Sequence, residues 1–94
     1  TRDRISQDGF ALYQNRPNPF RSETVIGFYL PEPTRAKLTI YDVTGKLLKV
    51  IDGDYNQGYQ QETVRQSELN SHGVVYYQLD TPGFTATRKM VLVR

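Results

Sequence analysis

Apolar side chains recur at every second position through most of the sequence, and nowhere do they keep helical spacing over a useful length. Ile26, Phe28 and Leu30 alternate with Val25, Gly27 and Tyr29 as far as Pro31, which predicts a strand closed by proline. Ala36, Leu38 and Ile40 alternate with Lys37, Thr39 and Tyr41, predicting a second strand after a Pro31-Glu32-Pro33 turn. Asp42-Val43-Thr44-Gly45 reads as a hairpin in which Gly45 supplies the positive φ that other residues resist. A third strand is expected over residues 46–51, ending in an Asp52-Gly53-Asp54 turn. Residues 59–66 are polar but alternate, with Val64 the clearest apolar member, as an edge or half-exposed strand does. Only one helical turn fits, around Ser67-Glu68-Leu69. Residues 73–79 are strongly β-forming, Thr81-Pro82-Gly83 turns the chain, and residues 84–93 return antiparallel. With residues 10–13 as a short first strand, the count is about seven, with turns every ~8–12 residues. The expected fold is an all-β, immunoglobulin-like antiparallel β-sandwich.

A length of 94 residues is one domain with one core. With no tryptophan, the seven Tyr and four Phe must supply much of the buried area. Twelve basic and ten acidic residues leave a net charge of +2, and no basic run exceeds two or interleaves with aromatics, so nucleic acid is not an expected partner. The absence of cysteine excludes a disulfide framework, a thiolate metal site and a cysteine nucleophile. No signal peptide opens the sequence and no apolar run is long enough to cross a membrane as a helix. If the protein is exported, the sequence is therefore expected to be a fragment of a longer precursor. Residues 1–9, polar apart from Ile5 and of mixed charge, read as a linker from upstream cargo, with the domain occupying residues 10–94.

The two ends of the pattern are unusual. Domains tend to finish in polar, loosely held residues. Here Arg88-Lys89 runs into Met90-Val91-Leu92-Val93, which is patterned as a strand. Such a strand either completes the sandwich or serves as an address that another protein reads. Near the start, Pro17 and Pro19 lack amide donors and push Arg16 and Asn18 toward extended conformations, so residues 12–20 cannot be a central strand. They read as a rigid loop anchored by Leu12 and Phe20, serving either as a crossover between sheets or as a recognition surface.

Other candidate chemistry is thin. Asp52-Gly53-Asp54 with Asn56 resembles part of a calcium loop but lacks the further spaced carboxylates, so a hairpin is expected. His72 is the only histidine and, next to Ser71 in an extended chain, points away from it, so the two form no nucleophile–base pair. Tyr76-Tyr77 with Tyr55 and Tyr59 suits either a sugar-stacking platform or ordinary sheet packing. There is no phosphate loop and no carboxylate pair in a believable pocket. The domain is expected not to be an enzyme and to need neither cofactor nor metal.

Taken in order, Leu12-Tyr13-Gln14-Asn15, Pro17-Asn18-Pro19-Phe20, Tyr41-Asp42-Val43 with Gly45, Gly73-Val74 leading into Tyr76-Tyr77, Gly83-Phe84, and Thr87-Arg88-Lys89-Met90-Val91-Leu92-Val93 resemble the type A C-terminal sorting domain of the type IX (Por) secretion system of Bacteroidota. The resemblance covers residues 10–94. It implies an immunoglobulin-like domain fused behind a cargo that reaches the periplasm by a signal peptide. It further implies that the outer-membrane translocon recognises the domain, that a sortase-like surface protease removes it, and that the cargo ends on the cell surface or secreted. The implied recognition residues are Pro17, Asn18, Pro19, Phe20, Gly73, Arg88, Lys89, Met90, Val91, Leu92, Val93 and Arg94, and an edge-strand dimer stays open. Two features depart from the family. Val75 stands two residues after Gly73, where tyrosine is usual, which leaves the facing of the aromatic open, and Arg16 and Arg21 make the proline loop more basic. The rival reading is a structural or carbohydrate-binding immunoglobulin-like module of a surface protein.

Overall fold

In the computed structural model, which describes residues 9–93, the alternation resolves into seven strands and one helical turn. They are β1 (Ala11–Leu12), β2 (Glu23–Leu30), β3 (Thr34–Asp42), β4 (Leu47–Tyr55), β5 (Gly58–Arg65), α1 (Gln66–Leu69), β6 (Gly73–Thr81) and β7 (Phe84–Leu92). A three-stranded sheet in the order β1-β2-β5 faces a four-stranded sheet in the order β4-β3-β6-β7. Every strand pair is antiparallel. The expected immunoglobulin-like sandwich is thus present, with β4 beside β3 instead of joining the sheet of β1 and β2 as in constant-type immunoglobulin domains.

The period of two decides what is buried. Ile26, Phe28, Leu30 and Val64 from one sheet share a core with Ala36, Leu38, Ile40, Val75, Tyr77, Leu79, Met90 and Leu92 from the other. Each large apolar side chain buried there contributes about 1.5–3 kcal/mol relative to exposure. Leu69, carried by the single turn α1, closes one end of the core.

One turn lies elsewhere than its composition suggests. Asp52-Gly53-Asp54 is inside β4, paired with Lys37, Ala36 and Arg35 of β3. Alternation keeps the two carboxylates exposed while Ile51, Gly53 and Tyr55 turn the other way. Arg35 lies 3.3 Å from Asp52 and 3.9 Å from Asp54, so the charges match across the strands on either side of the glycine. The chain changes sheets after Tyr55, where Gly58 takes φ +114°. The Asp42–Gly45 hairpin forms as expected, with Gly45 at φ +89° and the Asp42 carboxylate accepting from the amides of Thr44 and Lys46.

The two ends of the described chain lie at opposite poles. Phe10 stacks on Phe84 with ring centres 5.1 Å apart, at the start of β7. Phe20, Gly73 and Leu92 gather at its other end. Eight steps along β7 separate the poles by about 27 Å. Of the expected linker, residues 1–8 lie outside the described residues.

Candidate functional site

The proline loop and the last strand are one structure. After Leu12 the chain runs along the outer edge of β7, the edge away from β6. Gln14 Nε2 donates to the Lys89 carbonyl at 2.7 Å, and Asn18 Oδ1 accepts the Val91 amide at 2.9 Å. The Phe20 amide donates to the Val91 carbonyl at 3.0 Å, and the Val93 amide donates to the Phe20 carbonyl at 2.9 Å. Phe20 and Leu92 form a parallel bridge, and both side chains are buried. Four consecutive outward polar groups of β7, from Lys89 to Val93, are therefore already paired, and a partner cannot add a strand there while the loop is in place.

What fixes the loop is a buried asparagine. Asn15 is 2 % exposed in a chain segment with no regular structure of its own. Its Nδ2 donates to the Pro17 carbonyl at 3.1 Å and to Thr24 Oγ1 at 2.9 Å, and its Oδ1 accepts from Gln14 Nε2 at 2.8 Å. Its backbone amide donates to Tyr77 Oη at 2.9 Å, and that hydroxyl donates to the Tyr13 carbonyl at 2.8 Å. Thr24 Oγ1 donates in turn to the Pro17 carbonyl at 2.9 Å. Because an unpaired buried polar group costs about 1–3 kcal/mol, this network holds a single arrangement. Asn15, Thr24 and Tyr77 are the site residues that sequence reasoning missed. A polar residue before two prolines carries no burial signal.

The open question of the aromatic's facing is also settled. Tyr77 points into the core and Tyr76 points out, stacked on Tyr41 with ring centres 5.8 Å apart. Tyr76 and Tyr77 thus lie on opposite faces, while Tyr55 packs edge-on against Phe28 and donates to Glu62 at 2.7 Å. The sugar platform imagined from these four tyrosines does not assemble.

The expected recognition residues divide. Asn18, Phe20, Val91, Leu92 and Val93 meet at one corner, with Gly73 paired to Leu92 and held at φ +93°. Pro17 and Pro19 are exposed at the tip of the loop, and Met90 is a core residue. Arg88 and Lys89 point to opposite sides of β7. Arg88 turns inward and its Nε donates to the Leu12 carbonyl at 2.6 Å, sealing the seam between the sheets, while Lys89 is exposed. They are not a joint basic patch. Arg94 lies outside the described residues.

The groups with displaced titration lie away from this corner. Hydrogen bonding, chiefly from Thr44, lowers the Asp42 carboxyl below its ordinary value. The amide of Arg65, then the ammonium of Lys49, lower Glu68. Burial, then Glu62, raise the Tyr55 phenol. Among the described residues, no three His, Cys, Asp or Glu side chains cluster as metal ligands would. His72 is exposed.

A family model described as a secretion system C-terminal sorting domain matches residues 16–93, which include the Pro17–Phe20 tip of the loop and all of β7. Among solved structures, dimeric latent PorU from Porphyromonas gingivalis is similar at 18% identity and a TM-score of 0.69, covering 95% of this chain. The chain spans 10% of that protein's length. The sensor domain of the anti-sigma factor RsgI4 from Pseudobacteroides cellulosolvens is similar at 11% identity and a TM-score of 0.55, covering 96% of this chain and 100% of that one. At such identities these two likenesses concern the fold. No curated protein matches the sequence.

Proposed function

The chain belongs to the secretion system C-terminal sorting domain family, and from that premise we propose that the corner built by residues 14–20 and 89–93 is the surface that the type IX outer-membrane translocon reads. A domain of this family is an export signal for the cargo fused ahead of it, and it sends that cargo to the cell surface or into the medium. The observation that carries the reading is the lacing of loop to strand. Asn18 and Phe20 hold Val91 and Val93, so the family's two most distinctive segments form one rigid epitope. The translocon then reads a folded shape, not a loose tail.

The polarity of the domain supports the same reading. The cargo joins ahead of Phe10, at the pole about 27 Å along β7 from the corner. Residues 1–9 are the connector and residues 10–94 the sorting domain. In this account the precursor crosses the periplasm, docks by the corner, and is cut ahead of Phe10 by a sortase-like surface protease. The domain itself performs no chemistry.

The test is a reporter carrying a signal peptide and residues 1–94 in a host with the type IX apparatus. Deleting residues 89–94, or combining Asn18→Ala with Lys89→Ala, is expected to leave the reporter in the periplasm. The melting temperature of each purified domain separates loss of recognition from loss of fold. Normal export by a folded domain lacking residues 89–94 would overturn the reading.

A further inference from the structure

A second surface lies beside the corner, on the outer face of the three-stranded sheet. Tyr13, Gln14, Arg16 and Tyr59 line a shallow groove of about 370 Å³. The Tyr59 phenol lies over Gly27 of β2 so closely that any Cβ at position 27 would run into the hydroxyl. Tyr59 is nonetheless 47% exposed. Its ring is tilted against Tyr13 with centres 5.9 Å apart, and its hydroxyl takes long hydrogen bonds from Arg16 Nη2 at 3.4 Å and Gln61 Nε2 at 3.5 Å. An exposed aromatic held in one orientation has little rotamer freedom left to lose on binding.

Charge and backbone say what fits. Among the described residues, no carboxylate lines the groove and none pairs with Arg16. Tyrosine and arginine dominate the binding energy of protein interfaces, and a guanidinium takes a carboxylate through two parallel hydrogen bonds. Beside Tyr59, β5 pairs among the described residues with β2 alone, so its far edge presents backbone groups to an incoming extended chain. A sugar is the poorer occupant, because the two rings are inclined at 45° and present no flat platform.

We propose that this groove docks an extended acidic segment of the receptor protein. The proposal rests on the sorting reading above and adds a second, charge-selective contact to it. Gln14 belongs to both surfaces, lining the groove while holding the Lys89 carbonyl, so the groove and the corner are presented in fixed register.

The reporter assay tests it with Arg16→Lys, Arg16→Gln, Arg16→Glu and Tyr59→Ser, each purified domain being melted in parallel. Surface reporter is expected to fall about threefold for Arg16→Lys, which keeps the charge and loses the fork, and about tenfold for Arg16→Glu and Tyr59→Ser, with melting temperatures unchanged. Equal export by all four, while the folded Asn18→Ala, Lys89→Ala double variant is still blocked, overturns the groove and leaves the corner standing. Normal export by that double variant as well removes the sorting reading and this proposal together. A loss confined to variants that melt lower also overturns it. So does a saturable shift of the Tyr59 ring resonances with cellotetraose when export is indifferent to Arg16, which would give the groove to a saccharide.

Discussion

The side-chain oxygen of Asn18 accepts the backbone amide of Val91 at 2.9 Å, where the carbonyl of a neighbouring strand would stand. Asn18 is exposed, so its loss leaves the core untouched. Asn18→Ala is expected to cost about 0.5–1.5 kcal/mol in denaturant titration. It should also speed hydrogen exchange at Val91 more than at the flanking β7 amides. Asn18→Asp keeps the acceptor and should protect Val91 as wild type does.

The tyrosine pair gives a sharper contrast. Tyr77→Phe removes one hydroxyl yet strands the amide of Asn15 and the carbonyl of Tyr13, and should destabilise by about 1–3 kcal/mol. Tyr76→Phe touches none of this and should stay within about 0.5 kcal/mol. Thermal melts of the two variants side by side decide it, since equal effects would mean that the network does not hold the loop.

The two basic residues at 88 and 89 should behave as differently as their sides of the strand. Arg88→Ala removes the donor to the Leu12 carbonyl and the stem that packs at the seam, with an expected loss of about 1–3 kcal/mol. Lys89→Ala should leave the melting temperature unchanged, so any export defect it causes reports recognition and not folding.

Acid should weaken the fold through two exposed carboxylates. Asp42 and Glu68 are both held below their ordinary values of 3.8 and 4.5 by donors that exist only in the folded chain. A depressed folded value means that the stabilisation is complete above the ordinary value and is lost as pH falls through the folded one. The melting temperature should therefore decline below about pH 4.5. Glu68→Gln should melt lower than wild type at neutral pH and show a shallower decline.

Strand alternation makes the core legible in the sequence, because a period of two with proline and glycine stops has few other solutions. Composition misled at Asp52-Gly53-Asp54, where a turn-like triplet sits inside β4, its backbone paired with residues 35–37 of β3 and both acids beside Arg35. The candidate site was half legible. The motifs at Pro17–Phe20 and Arg88–Val93 were visible, but their contact spans more than seventy residues and leaves no local trace. Asn15 illustrates the limit, since an asparagine in a loop is ordinarily exposed and only the tertiary network around Tyr77 and Thr24 explains its burial. Gly27 is similar, for within an alternating strand it reads as a mere weak point.

That glycine supplies the most selective probe of the groove. A Cβ at position 27 would lie 2.8 Å from Tyr59 Cζ and 2.9 Å from Cε1, closer than carbon atoms pack. The obstruction is the far end of an exposed side chain, and the backbone at Gly27 is ordinary strand that alanine adopts freely. Gly27→Ala should therefore swing Tyr59 out of the groove without breaking the β2–β5 pairing. Replacing glycine in a strand also reduces the entropy lost on folding, so net stability should change by less than about 1 kcal/mol. The Tyr59 ring resonances should lose their contacts to Tyr13, and export should fall to the level of Tyr59→Ser. If Tyr59 moves out and export holds, the ring has no part in recognition. If stability collapses, Tyr59 is instead a structural cover for β2.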